Sequence, residues 1–320
     1  LKWLILHKKK VTVYEGLARS INCKTPIVTI GTFDGMHVGH QKIIKQLIQI
    51  AKDLNGESVL LTFYPHPRSV INTETPIQLL QNQTEKIKKL EEIGLDKLVV
   101  IPFTDDFSKL SAIDFVQTIL IDKLKCHSLV LGYDHHFGNN REGNLKFLLA
   151  NAKKFDLNII EIPAKEIDAI KISSTKIRGS LLQGDVETAN LFLGYPYEIT
   201  GEVVAGEQLG RTIGFPTANI ALNDPNKLIP KNGVYAVKTN IHGKDVMGML
   251  NIGVNPTVQN TSSIKLEVHL FDFSADLYHE SITLQLINYI RPEHKFDSID
   301  ALTKQLNKDE IFVRDYFSMQ

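Results

Sequence analysis

Only two cysteines, Cys23 and Cys126, occur in 320 residues, too few for a disulfide framework or a structural zinc site. Net charge is missing too. The 36 basic and 36 acidic side chains cancel, so the chain has no whole-protein electrostatic footprint for nucleic acid. Long apolar runs are also absent, since stretches such as the one around Ile119–Ile121 are broken by charges well short of a membrane span. In LKWLILHKKK the basic residues follow the apolar run, the reverse of a secretory signal's order. No Walker A sequence occurs, which argues against a P-loop kinase. What is left is the composition of a soluble cytoplasmic enzyme acting on small molecules, with no nucleic-acid, membrane or obligate protein partner implied.

At 320 residues the length favours two domains, and the texture changes near residue 194. Before it, IVTI (27–30), SVLLTFY (58–64), KLVVIPF (97–103), SLVLG (128–132) and NIIEIP (158–163) read as strands. Helical spacing fills the gaps after 38 and over 84–93, 111–124 and 143–155. Apolar strands alternating with amphipathic helices predict an α/β domain, a parallel sheet covered on both faces, with ligands beyond the carboxyl ends of its strands. Residues 1–25 allow a first short strand and helix. After a helix over 185–193 and the segment GYPY (194–197), strand-like runs follow one another without helices. EITGEVV, GVYAVKT, DVMGMLNIG, SIKLEVHLF and SITLQLINYI predict an antiparallel barrel, with His242-Gly243-Lys244 as a hairpin turn and a covering helix over about 298–317.

Two motifs carry chemistry. GTFDGMHVGH (31–40) follows a strand and opens a helix. Its Gly31, Gly35 and Gly39 suit a tight bend, and a helix N-terminus offers unpaired N–H groups to a phosphate. His37 and His40, three apart, share a helix face and could donate hydrogen bonds to oxygens that gain charge during transfer at phosphorus. SSTKIR (173–178) sets Ser173, Ser174 and Thr175 at another helix start, with Lys176 and Arg178 behind; taken alone it is a capped helix with a basic face. In GRTIGFPTAN (210–219), Gly210 and Gly214 allow a loop to close over phosphates beside Arg211. Thr217 and Asn219 would face the same side of an extended segment as hard ligands for Mg2+, although a turn entering a strand explains PTAN equally well.

The HxGH unit with ISSTKIR resembles the HxGH nucleotidyltransferase superfamily. It resembles more closely the bacterial bifunctional riboflavin kinase/FAD synthetases, with FYPHPRSV (63–70) and GYDHHFGNNREGN (132–144) as further matches. The resemblance implies a doubly wound FMN adenylyltransferase domain over 1–184, a helix end and linker over 185–197, and a riboflavin kinase barrel over 198–320. His37, His40 and Arg178 would be catalytic at the first site. Gly31, Phe33, Asp34, Gly35, Gly39, Ser173, Ser174 and Thr175 would serve ATP, and Pro65, His66, Pro67, Asp134 and Arg141 would line its nucleotide and flavin pocket. PTAN would be the kinase signature, with Gly210, Arg211 and Gly214 at the phosphates, Thr217 and Asn219 on Mg2+, Glu267 of LEVHLFDF as catalytic base and Arg291 near the flavin.

The implied chemistry converts riboflavin and ATP to FMN, and FMN and a second ATP to FAD and pyrophosphate. Relatives often have DFRFG where this chain has DHHFG, and Arg where Asn255 stands, so those contacts of His135, His136 and Asn255 do not carry over. Two other readings stay open: an FMN adenylyltransferase whose barrel only binds flavin, and a non-enzymatic flavin-sensing or nucleic-acid-binding module.

Overall fold

The apolar runs of the first half form one sheet of β1 (Thr12–Glu15), β2 (Pro26–Ile30), β3 (Glu57–Tyr64), β4 (Lys97–Pro102), β5 (Ser128–Gly132) and β6 (Asn158–Ile162). All its pairings are parallel, in the order β1-β4-β3-β2-β5-β6. This computed structural model describes residues 10–17, 21–74, 77–132, 135–139, 142–163, 172–206, 209–256 and 262–319. Its helices here are α1 (Val38–Asp53), α2 (Pro67–Ile71), α3 (Gln83–Ile93), α4 (Asp105–Ser108), α5 (Ala112–Asp114) and α6 (Leu145–Phe155).

Alternating side chains make each central strand serve two cores. Val28, Ile30, Val59, Leu61, Val99 and Ile101 pack with Phe115, Leu120 and Leu148. On the other face Ile27, Leu60, Leu98 and Val100 meet Ile44 and Leu47 of α1 and Leu90 of α3. The expected 111–124 helix differs from an ordinary one, because α5 continues as a π-helix over Phe115–Lys123. The wider winding buries Phe115, Val116 and Leu120, a spacing that the 3.6-residue pattern does not reveal. The chain runs β2, β3, β4 in one direction and returns beside β2 as β5, so the crevice of this sheet opens where β2 ends.

Packing divides the chain into two compact units, Leu1–Ile172 and Ser173–Gln320. The second holds α7 (Ser174–Gln183), α8 (Val186–Leu193) and α9 (Leu209–Thr212). Its strands are β7 (Tyr197–Val204), β8 (Ala218–Leu222), β9 (Gly233–Ile241), β10 (Lys244–Pro256), β11 (Ser262–Leu270) and β12 (Ser281–Arg291), and α10 (Ile299–Ser318) ends it. The strands close into an antiparallel barrel ordered β10-β11-β8-β7-β12-β9. His242 and Gly243 form a two-residue hairpin loop at φ +51° and +82°, with Ile241 paired to Lys244. The segment 185–197, expected to join the domains, packs inside this unit. Asn190 accepts the Tyr197 N–H at 2.7 Å and donates to the Leu286 carbonyl at 2.8 Å. Among the described residues no helix is long and apolar enough to cross a membrane.

Helix α10 buries Val313 against Phe215, Val234, Ala236, Met249 and Phe271. A buried ion pair clamps it. Arg291 donates from Nε (2.9 and 3.1 Å) and Nη2 (2.7 Å) to Asp309, whose side chain is 3% exposed. Asp309→Ala would strand the guanidinium, and urea denaturation should show a loss of about 3–5 kcal/mol. A loss below about 1 kcal/mol, the range of an exposed pair, would refute the clamp.

Candidate active sites

The first motif folds as a bend followed by a helix. Gly31 leaves β2 with its N–H on the Leu61 carbonyl at 3.0 Å. Phe33 and Asp34 are buried behind it. Asp34 accepts the main-chain N–H groups of Leu80 (3.0 and 3.2 Å) and Gln81 (3.2 Å). Gly35 takes φ +82°, and a Cβ there would lie 2.6 Å from Leu80 Cδ1, so only glycine lets the two loops meet.

His37 then caps α1, its Nδ1 accepting the His40 N–H at 3.3 Å, with Gly39 buried in the first turn. An accepting Nδ1 carries no proton, so neutral His37 holds its hydrogen on Nε2. The two imidazoles stack, centroids 3.6 Å apart and planes 18° from parallel, and Phe33 borders His40 at 4.8 Å. Burial pushes His37 down to about 4, with the Asp34 carboxylate opposing. Burial also holds His40 well below the usual imidazole range, helped by His37 and Lys86. Both rings are neutral at pH 7, at a helix end whose N–H groups favour an anion.

Tyr64–Pro65 is a cis peptide bond at the end of β3. His66 caps α2 by accepting the Arg68 N–H at 3.1 Å, with Pro67 opening the helix. His66 lines a cavity of about 10 Å³ together with Asp34, Tyr64, Gln81 and Lys86, which places it at the bend. Ser173 caps α7 by accepting the Lys176 N–H at 3.3 Å; Ser174 and Thr175 follow in the first turn, and Arg178 is partly buried. Asp134 and Arg141 lie outside the described residues. Sequence reasoning missed Lys86, a buried lysine whose Nζ donates to the Thr32 carbonyl at 2.9 Å. Its one signal was a cation in the first turn of a helix, where the dipole disfavours it.

In the barrel, PTAN enters a strand, β8, which stands outside the five strand-like runs of the sequence. ANIAL is short and alanine-rich, and pairing with β7 and β11 forms it. Its register sets Asn219 directly opposite Glu267, and β10 sets Asn251 opposite Glu267 on the other side. Leu266 and Val268 are buried on either side of Glu267, as Leu250 and Ile252 are around Asn251. Alternation therefore puts Asn251, Glu267 and Asn219 in one row across three strands, on the face away from those apolar neighbours. Lys265, two residues along, bonds Glu267 Oε1 at 3.2 Å.

Gly206 borders the row. A Cβ there would lie 1.9 Å from Asn219 Nδ2. Gly210 closes the loop by accepting the Phe215 N–H at 2.8 Å, Gly214 turns at φ +84°, and Arg211 and Thr217 are exposed. Arg291, expected beside the flavin, has its guanidinium engaged by Asp309 and the Pro292 carbonyl.

Two family models match these two regions: FAD synthetase over residues 20–176 and riboflavin kinase over 193–317. The bifunctional riboflavin kinase/FMN adenylyltransferase of Listeria monocytogenes is 40% identical over 91% of this chain and 92% of that protein. The chain belongs to that bifunctional family. Its members from Bacillus subtilis and Escherichia coli are 38% and 35% identical, over 91% and 92% of this chain and 92% and 93% of theirs. A crystal structure of a protein named a macrolide-efflux protein, from Streptococcus pneumoniae, shares the fold. It has a TM-score of 0.84 and 32% identity over 95% of this chain and 99% of that one. The family's FAD synthetase match contains His37, His40 and Ser173–Thr175, and its riboflavin kinase match contains Thr217, Asn219 and Glu267.

The depressed imidazoles have a measurable consequence. Unfolded His37 takes up a proton near pH 6.5 and folded His37 only near 4, so the unfolded chain binds more protons between these values. Stability therefore falls as pH drops through that window. Histidine NMR should place the His37 midpoint near 4 in the free protein, and a midpoint at the ordinary 6.5 would refute a buried neutral pair.

Proposed function

We propose that the chain makes FAD in two ATP-dependent steps, phosphorylating riboflavin to FMN on the barrel and adenylylating FMN at the HxGH bend. The observation that carries this reading is the occurrence, on one chain, of stacked neutral imidazoles at a helix N-terminus and a Glu267–Asn219 pair opposed in register. Residues 1–184 would hold the adenylyltransferase and 198–320 the kinase, with 185–197 between them.

At the barrel the riboflavin 5′-hydroxyl attacks the γ-phosphorus of ATP. Glu267 takes the hydroxyl proton while the new O–P bond forms and the bond to the β-phosphate oxygen breaks, releasing ADP. Gly210, Arg211 and Gly214 enclose the phosphates. Thr217 Oγ1 and Asn219 Oδ1 fit Mg2+, being hard oxygen donors beside Gly206, whose missing Cβ leaves room for the Asn219 amide. Mg2+ held there would supply charge neutralisation to the nucleotide phosphates. Arg291 serves the flavin end by fixing β12 against α10.

At the bend an FMN phosphate oxygen attacks the α-phosphorus of ATP, the bond to the β-phosphate oxygen breaks and pyrophosphate leaves. The nucleophile is already anionic, so no general base is needed. His37, through Nε2–H, and His40 donate to the oxygens that gain charge. Gly31, Phe33, Asp34, Gly35 and Gly39 shape the bend, and Pro65, His66, Pro67, Asp134 and Arg141 line the pocket. Ser173, Ser174, Thr175 and Arg178 serve the β- and γ-phosphates. A cytoplasmic location, with its ATP supply, suits the two free thiols of Cys23 and Cys126.

Incubation with riboflavin, Mg2+ and ATP followed by flavin chromatography should yield both FMN and FAD. FAD formed only from supplied FMN would leave an adenylyltransferase alone, and binding without turnover would leave a sensor. His40→Ala should cut FAD formation about 10²–10³-fold while FMN accumulates. Loss of both activities in a well-folded variant would refute independent sites. Glu267→Gln should cut FMN formation about 10²–10⁴-fold and spare adenylylation of supplied FMN. Unchanged kinase turnover would remove Glu267 from the mechanism.

A further inference from the structure

Lys86 is 7% exposed, and the chemistry above does not use it. It sits in the first turn of α3, behind the capping box in which Asn82 accepts the Glu85 N–H at 2.8 Å and Glu85 accepts the Asn82 N–H at 3.0 Å. A buried cation at the positive end of a helix dipole is costly twice over, by desolvation and by the dipole. Two anchors offset the cost. Nζ donates to the Thr32 carbonyl at 2.9 Å, and the Asp34 charge favours the protonated amine against the burial that pulls it down. The Thr32 carbonyl also accepts from Thr62 Oγ1 at 3.4 Å.

Thr32 and Asp34 are the bend itself, five and three residues before His37. Gln81 adds a second observation. It is 6% exposed, and its Oε1 is buried without a hydrogen-bond partner among the described residues. Gln81 and Lys86 line the same cavity of about 10 Å³, room for one water. An ammonium has three donors, and Thr32 is the only hydrogen-bond acceptor found for Lys86 among the described residues. One water in that cavity would accept from Lys86 and donate to Gln81 Oε1.

We propose that Lys86 is a positioning residue for adenylyl transfer: by bonding the Thr32 carbonyl, facing Asp34 and reaching Gln81 through one buried water, it holds the Gly31–His40 bend and its imidazole pair at working height. Lys86 touches no reacting atom. Its ammonium acts through the main chain of the bend and through its field at His40, which it helps to keep neutral. The inference rests on the bend being the adenylyl-transfer site.

The test compares wild type, Lys86→Met, Lys86→Gln, Gln81→Leu and the Lys86→Met/Gln81→Leu double variant, with FMN and ATP supplied and riboflavin phosphorylation as a fold control. Failure of the wild type to make FAD would overturn the functional reading rather than the role of Lys86. The His40 titration would still report on Lys86 without any activity. Lys86→Met should lower kcat for FAD formation about 10–100-fold, as a misplacement near 1 Å does, with KM for ATP within about threefold and kinase turnover unchanged.

His40 in Lys86→Met should titrate at higher pH by NMR, because a neighbouring positive charge is gone. Gln81→Leu should cost less alone, and its effect should shrink in the double variant, since both residues share one water. Unchanged kcat together with an unchanged His40 titration in Lys86→Met would overturn the proposal. So would full additivity in the double variant, or equal loss of both activities in Lys86→Met and Lys86→Gln, which would assign Lys86 to folding.

Discussion

Asp34 is a carboxylate with 3% exposure whose oxygens take the N–H groups of Leu80 and Gln81. Those bonds stitch the loop after β2 to the loop before α3, and most of the first unit's chemistry follows from that stitch. The bend it fixes aims His37 and His40, and its charge favours the protonated form of the Lys86 amine against burial. Gly35 is required because the stitched loops touch. An unpaired carboxylate could not sit there, since burying the charge without these donors would cost several kcal/mol, roughly a whole domain's margin of stability.

The two sites solve unlike electrostatic problems. In the proposed adenylyl transfer the attacking group arrives charged, so the protein needs donors and little basicity; buried imidazoles with a fixed tautomer on His37 would supply this. On the barrel the attacking group arrives as a neutral hydroxyl, and a proton must go somewhere. In the proposed kinase step the Glu267 carboxylate would meet that need; it is held opposite Asn219 by register rather than by a loop. Rigid backbone pairing positions one site, and a stapled loop the other.

Much of this was legible in the residues, and the gaps have physical causes. The central strands show as apolar runs because both faces of the sheet are covered, and α1, α3 and α6 show through their apolar stripes. The π-helical winding of Phe115–Lys123 did not show, because hydrophobic spacing reports a face and not a hydrogen-bond ladder. ANIAL showed only as the extended segment that PTAN could enter, because neighbouring strands rather than its own propensity extend it. The SSTKIR helix lies among first-unit motifs in sequence yet packs with the second unit. Leu181 there accepts the Lys231 N–H at 3.0 Å, a contact between distant residues that no local pattern encodes. At the candidate sites, residue type and motif single out His37, His40 and Glu267 as candidates. Lys86 and Asn251 depend on tertiary register, and composition hides them.

The barrel strands close on themselves, whereas among the described residues the parallel sheet ends in β1 and β6. A closed ring of strands offers no unpaired ladder to another molecule, but an open sheet offers one at each side. Here β1 is four residues long, and β6 carries Glu161 exposed near its end, so both sides are poor templates for strand addition. The open sheet therefore resists strand addition by keeping one flank short and the other charged, whereas the barrel resists it by closure.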